Sequence, residues 1–220
     1  MTAARRHVLF DLDGTLTDPS EGIVACLEYA LDTLGGAAAD PGDLTRFIGP
    51  PLTGTFGTLL GTGDSRVIDA AITAYRERFA EVGLFENRLI EGIEGALVEL
   101  EDHGVDLRVA TAKPTVYADR IVDHFGLRPF FPVVYGSELD GRKTDKIDLL
   151  AHIFSEEGWQ GTDACMVGDR RHDVVGAVAH ESRAVGVLWG FGSDAELRDA
   201  GAHAVVSTPG DLAHAIVGAG

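Results

Sequence analysis

The sequence predicts an α/β protein: a doubly wound parallel sheet with an all-helical segment inserted after the first strand. Two observations carry the prediction. From about residue 88 onward, short apolar runs alternate with amphipathic stretches of helical length, the pattern of parallel βαβ units. Before that point, residues 19–87 carry helical periodicity without a convincing strand.

The first element is the run His7-Val8-Leu9-Phe10, whose apolar and branched content suits a buried strand. It ends abruptly in Asp11-Leu12-Asp13-Gly14-Thr15-Leu16-Thr17, which places two carboxylates at the strand's carboxyl end. In open α/β sheets that edge is where ligands bind. Two acids one residue apart repel unless a cation lies between them, and a hard divalent ion with oxygen ligands, magnesium above all, suits the pair. A turn with solvated acids explains the same residues, since Asp-Gly is a good turn dipeptide. Taken alone, the segment leaves both readings open.

The insertion follows. Ile23, Leu27, Ala30, Leu31 and Leu34 recur at helical spacing, as do Val67, Ile68, Ala71, Ile72, Tyr75 and Phe79. The stretch Thr53–Asp64, rich in glycine and threonine, reads as a loop. Thr17-Asp18-Pro19 and Phe85-Glu86-Asn87 read as the two connections to the rest of the chain. After the insertion, strands are expected at Leu107–Thr111, Val133–Tyr135, Ala164–Gly168, Ala184–Leu188 and Ala204–Val206. Helices are expected at about Gly92–His103, Val116–Phe125, Asp145–Glu157, Asp173–His180, Asp194–Ala200 and Gly210–Val217. The expected division is therefore 1–18 with 88–220 as the α/β core, and 19–87 as the helical insertion.

With 220 residues, 45% of them hydrophobic, the chain can bury one sizeable core plus a small accessory domain. Its formal charge of −17 argues against nucleic acid or an anionic membrane as a general partner. Lys113, Lys143 and Lys146 are its lysines, all in one stretch of an otherwise arginine-using chain, which hints at a specific task for a compact point charge. Cys26 and Cys165 have neither the number nor the spacing of a disulfide framework or a metal site. Met1–Arg6 runs into the first strand without a signal-peptide core, and nothing is long enough to span a membrane, so a reducing cytoplasm is the expected compartment. The eight histidines never stand at the i, i+4 spacing of a two-histidine metal motif.

Four groups of residues fall at predicted strand ends or helix starts: Asp11/Asp13, Thr111, Lys146, and Gly168-Asp169-Arg170-Arg171-His172-Asp173. In a doubly wound sheet such ends converge on one crevice. The order Asp-x-Asp-Gly-Thr, Thr, Lys, Gly-Asp-(three residues)-Asp resembles the haloacid-dehalogenase-like hydrolase superfamily, and the helical insertion resembles the cap of its phosphoglycolate phosphatase and nucleotidase-like members. Phe47-Ile48-Gly49-Pro50-Pro51-Leu52 and Gly186-Val187-Leu188-Trp189-Gly190-Phe191-Gly192 extend the likeness over nearly the whole chain.

The resemblance implies a Rossmann-like core with a helical cap, and a magnesium-dependent phosphatase acting on a small phosphorylated metabolite of the phosphoglycolate or nucleoside monophosphate class. Asp11 would attack phosphorus to form an aspartyl-phosphate; Asp13 would protonate the leaving oxygen and then activate water. Thr111 and Lys146 would bind the phosphoryl group. Asp11, Asp169 and the main-chain carbonyl of Asp13 would hold magnesium, with Asp173 as a further ligand or a support behind the ligands. Lysine in a helix's first turn opposes the dipole, which favours a functional reason for Lys146. Lys113 reads as a strand-end surface lysine and His172 as a surface residue. Arg46 reads as a solvated helix-end arginine, with selection of a substrate anion as its functional alternative. A phosphomutase of the same fold, resembling β-phosphoglucomutase, is the nearest alternative; a phosphoacceptor signalling module is the alternative from another class.

Overall fold

A computed structural model of the chain describes residues 7–35 and 43–218; the reading of Met1–Arg6 lies outside them. The chain forms two compact units, Met1–Asp18 with Leu89–Gly220, and Pro19–Arg88.

The larger unit is a parallel sheet. Its strands are β1 (His7–Phe10), β4 (Asp106–Pro114), β5 (Val134–Ser137), β6 (Ala164–Gly168), β7 (Arg183–Val187) and β8 (Ala204–Val206), in the spatial order β5-β4-β1-β6-β7-β8. The helices α4 (Ile93–Asp102), α5 (Thr115–His124), α6 (Lys146–Glu157), α7 (Arg171–Ala179), α8 (Asp194–Asp199) and α9 (Leu212–Val217) connect or follow these strands. The architecture is therefore the doubly wound, Rossmann-like α/β sheet that alternating apolar runs predict.

β1 lies between β4 and β6, and Val8, Leu9 and Phe10 are all fully buried. Alternation divides them between the two faces. Leu9 packs with Leu149, Leu150 and Ile153 of α6, Val174 and Ala177 of α7, and Met166 of β6. Phe10 faces the other side and meets Phe131 edge-on, with ring centroids 5.7 Å apart. Local signals set the helix ends. Asp145 accepts the Ile147 N–H at 2.7 Å to start α6, and Gly158, with φ +70°, ends it in the left-handed conformation. α7 begins two residues earlier than expected because Asp173 accepts the Arg170 N–H at 3.1 Å, an acidic residue at the third helical position reaching back to the cap.

The smaller unit holds α1 (Ser20–Thr33), a 3₁₀ turn at Leu44–Phe47, α2 (Leu52–Leu59), α3 (Ser65–Arg78) and one π turn, Phe79–Gly83. α1 buries Ile23, Cys26, Leu27, Ala30 and Leu31. Between α1 and the π turn the backbones lie so close that a Cβ on Gly22 would sit 2.1 Å from the Gly83 carbonyl oxygen. Arg78 forms a two-pronged ion pair with Glu86 at 2.7 and 3.0 Å, and the same guanidinium donates to the Cys26 thiol at 3.2 Å.

Three further local expectations change. Most of the stretch read as a loop, Thr53–Asp64, belongs to α2: Thr55, Phe56 and Leu59 share a buried face, and only the turn at Gly61, φ +60°, breaks the helix. The two connections contain short strands, β2 (Thr17–Asp18) and β3 (Arg88–Leu89), and just beyond β3 the Ile90 N–H donates to the Leu16 carbonyl at 3.0 Å. β4 runs past Thr111 to Pro114, because a register shift between Ala110 and Pro114 lets the strand pair again with Ser137 of β5.

Leu9 is a clean probe of the central strand. Leu9→Ala is expected to destabilise the protein by about 2–5 kcal/mol, read as a lower denaturation midpoint at unchanged denaturant dependence, because the packed sheet and helices cannot collapse onto the gap.

Candidate active site

The register of the sheet assembles the site. Phe10 pairs with Val109 on one side and Val167 on the other, so β1 and β6 end near one level while β4 runs on to Pro114. From β1 the chain winds outward through β4 and β5, then crosses to β6, β7 and β8 on the opposite side. The crevice at that reversal is the ligand position of this architecture.

The ladder continues one residue beyond β1, where the Asp11 N–H donates to the Val167 carbonyl at 2.9 Å. The loop then closes on itself: the amides of Thr15, Leu16 and Thr17 all point at the Leu12 carbonyl, at 3.3, 2.9 and 3.0 Å. Leu12 and Leu16 are fully buried and anchor it. Gly14 is required twice over. Its φ is +80°, and a Cβ there would fall 2.4 Å from Asp169 Oδ2.

Asp11, Asp169 and Asp173 each offer a carboxylate oxygen within 4.8 Å of the other two. Asp169 is fully buried; its Oδ2 accepts the Phe191 N–H at 2.7 Å, while its Oδ1 is buried with no hydrogen-bond partner among the described residues. Burial, with Asp173 and Asp11 beside it, pushes the Asp169 carboxyl well above the usual range. Asp173 is raised to about 6, chiefly by burial and against the pull of Lys146. A buried, unpartnered oxygen among hard anionic donors that resist ionisation fits a divalent cation taking oxygen ligands. The side chain of Asp13 lies outside this trio.

Lys146, 4% exposed, is the positive charge of the cluster. Its Nζ lies 2.7 Å from Asp173 Oδ1 and 3.3 Å from Asp11 Oδ1, and it donates to the Ala110 carbonyl at 2.8 Å. Burial pulls its pKa down, but Asp11 and Asp173 together hold it above the ordinary lysine value. The backbone of α7 comes close enough that a Cβ on Gly176 would sit 2.8 Å from Lys146 Cγ.

Thr111 is buried, and its hydroxyl oxygen accepts the Lys113 N–H at 3.2 Å. Lys113 corrects its reading as a surface lysine: its side chain is 7% exposed and its Nζ lies 2.8 Å from Asp13 Oδ2. Lys113 sits inside the register shift of β4, a feature that strand periodicity does not register. Burial raises the Asp13 pKa and outweighs the opposing effect of Lys113. His172 is exposed on the first turn of α7. Arg46 belongs to the smaller unit, exposed on the 3₁₀ turn with its guanidinium 4.9 Å from the Phe47 ring centre. Trp189 and Phe191 touch the acidic loops through an indole N–H and a backbone N–H; the glycines around them were the available sequence signal.

Raised carboxyl pKa values mean that the metal-free native state holds protons more tightly than the unfolded chain. Stability contributed by these groups therefore falls as pH rises through about 6 and is regained as pH is lowered. Thermal melts in chelator should show a midpoint that climbs between about pH 7 and about pH 5, with a flatter slope in Asp169→Asn.

The family described as haloacid dehalogenase-like hydrolase matches residues 8–187. A 5'-nucleotidase of Pseudomonas aeruginosa is 45% identical over 192 residues, covering 87% of this chain and 86% of that protein. The tyrosine-protein kinase PtkA of Mycobacterium tuberculosis is 43% identical over 84% of this chain, which spans 62% of that protein's length. The crystal structure of a predicted phosphatase from Clostridium acetobutylicum superposes with a TM-score of 0.89 at 40% identity, covering 96% of this chain and 97% of the other. Among the described residues no helix is long and apolar enough to cross a membrane. The chain belongs to the haloacid dehalogenase-like hydrolase family.

Proposed function

We propose that this chain is a magnesium-dependent phosphatase that hydrolyses nucleoside monophosphates through an aspartyl-phosphate on Asp11. As an enzyme it is a phosphoric monoester hydrolase acting on small phosphorylated substrates. The observation that carries the reading is Lys146, a buried ammonium shared between Asp11 and Asp173 beside the unpartnered oxygen of Asp169. The likeness to a 5'-nucleotidase over most of both chains supports nucleoside monophosphates ahead of phosphoglycolate.

In the first step an Asp11 oxygen attacks phosphorus, and the bond from phosphorus to the ester oxygen breaks. That oxygen leaves with the proton of the Asp13 carboxyl. The raised pKa of Asp13 supports this role, because burial keeps a larger share of it protonated than an ordinary carboxyl would have. In the second step the Asp13 carboxylate accepts a proton from water as the water oxygen attacks phosphorus. The Asp11–phosphorus bond breaks and inorganic phosphate is released. Lys146 neutralises charge on Asp11 and the phosphoryl oxygens, and the Thr111 hydroxyl donates to one of those oxygens. Lys113 holds Asp13 beside the reacting centre. Asp11, Asp169 and the Asp13 carbonyl would hold magnesium, with Asp173 as ligand or support; the ion supplies charge neutralisation for the crowded oxygens when bound.

The unit Pro19–Arg88 is proposed as the cap, and Arg46 on its 3₁₀ turn as the selector for the non-reacting part of the substrate; its exposed guanidinium suits an anionic or polar group. A reducing cytoplasm is the proposed compartment, in keeping with a chain of two cysteines, both buried. The likeness to PtkA favours one second reading: transfer of the phosphoryl group from Asp11 to an acceptor hydroxyl in place of water, the chemistry of a mutase or a kinase-like phosphotransferase.

Phosphate release across a panel of nucleoside monophosphates, 2-phosphoglycolate and sugar phosphates separates these readings. Nucleoside monophosphates should give the highest kcat/KM, and chelator should abolish turnover reversibly. Asp11→Asn should lose about 10⁴-fold or more in kcat, and Asp13→Asn about 10²–10⁴-fold. Transfer to an added hydroxyl acceptor without phosphate release would favour the second reading, and full turnover in excess chelator would overturn the metal assignment.

A further inference from the structure

The stretch Trp189-Gly190-Phe191, in the loop after β7, touches both acidic loops at once. The Phe191 N–H holds Asp169 Oδ2 at 2.7 Å, which leaves the unpartnered Oδ1 as the oxygen available to a cation. The Trp189 indole N–H donates to the Thr15 carbonyl at 3.0 Å, two residues beyond Asp13. Between these contacts Gly190 has no space for a side chain: a Cβ there would fall 2.4 Å from both the Gly14 carbonyl oxygen and Asp169 Cβ.

The sheet itself fixes the two acidic loops only as far as Asp11, whose N–H makes the last rung to Val167. Beyond that rung the spacing between the Asp11–Thr15 and Asp169 loops depends on what bridges them. We infer that Trp189 is a positioning residue for the metal centre. Its indole N–H ties the Asp11–Thr15 loop to the segment that orients Asp169, and so sets the separation of the Asp11 and Asp169 carboxylates before an ion arrives. A half-buried indole N–H needs an acceptor, and the backbone carbonyl it takes lies on the loop whose position matters. Groups that orient metal ligands from behind typically change metal affinity about 10–100-fold when removed.

The inference rests on the proposed metal site, and the test keeps the two apart. Magnesium is titrated calorimetrically into metal-free wild type and W189F, a change that keeps a ring and removes the N–H. W189F should bind magnesium about 10-fold or more weakly, while the thermal midpoint of the metal-free protein moves little. A purely structural role would lower the midpoint and leave the affinity where it was. Equal affinity in the two proteins overturns the inference and leaves the metal site standing; no binding to wild type overturns both. If W189F does not fold, W159F supplies the measurement. It replaces the other of the two tryptophans, which is stacked on His7 at 3.8 Å at the amino end of β1, and leaves Trp189 as the sole indole. Its emission should change with the same magnesium midpoint that calorimetry gives, and a flat emission through saturation overturns the inference.

Discussion

The structure turns on one electrostatic constraint: carboxylates are buried together at the end of a parallel sheet, with too little positive charge among the described residues to neutralise them. Asp169 and Asp173 are almost inaccessible, and Asp11 and Asp13 are close behind. Lys146 answers Asp11 and Asp173, and Lys113 answers Asp13, while Asp169 has a single backbone N–H. Removing charges from water costs several kcal/mol each unless geometry and hydrogen bonds compensate. Asp11, Asp169 and Asp173 are close enough together to hold a divalent cation there.

Much of the local architecture serves that cluster. The parallel register brings the ends of β1 and β6 level, and glycines at 14, 168, 176 and 190 let backbones approach the acids and Lys146 more closely than a Cβ would allow. At Gly168, for instance, a Cβ would fall 2.2 Å from Asp173 Cγ. The same burial that strains the metal-free protein supports the proposed chemistry. It raises Asp13 toward protonation while Lys146 stands beside Asp11, so two like acids one residue apart sit in different environments. Stability given up at a site in return for reactivity is the expected trade in an enzyme.

The strands were legible because their fully buried apolar runs, such as Val8-Leu9-Phe10 and Ala164-Cys165-Met166-Val167, need no partner to be recognised. Asp11, Asp169, Asp173 and Lys146 were legible as candidates because each stands where a strand ends or a helix begins, and the structure places them together. What was hidden depended on contacts distant in sequence or on backbone irregularity. Lys113 turns toward Asp13 within a register shift that periodicity does not encode. α2 forms despite its glycines and threonines because Thr55, Phe56 and Leu59 find a buried face. Trp189 and Phe191 act through N–H groups toward residues earlier in the chain, and the glycines around them mark the loop without marking those partners.

The central claim is that this acid cluster is built to exchange protons for a divalent cation. The direct measurement is calorimetric titration of magnesium into the metal-free protein at about pH 6, repeated in buffers of different ionisation enthalpy. Because Asp173 is raised to about 6 and Asp169 well above its usual value, binding should displace protons and the apparent enthalpy should depend on the buffer. Asp169→Asn should lose most of that proton release together with the affinity. Magnesium binding with no proton release, or no binding in the intact protein, would contradict the account.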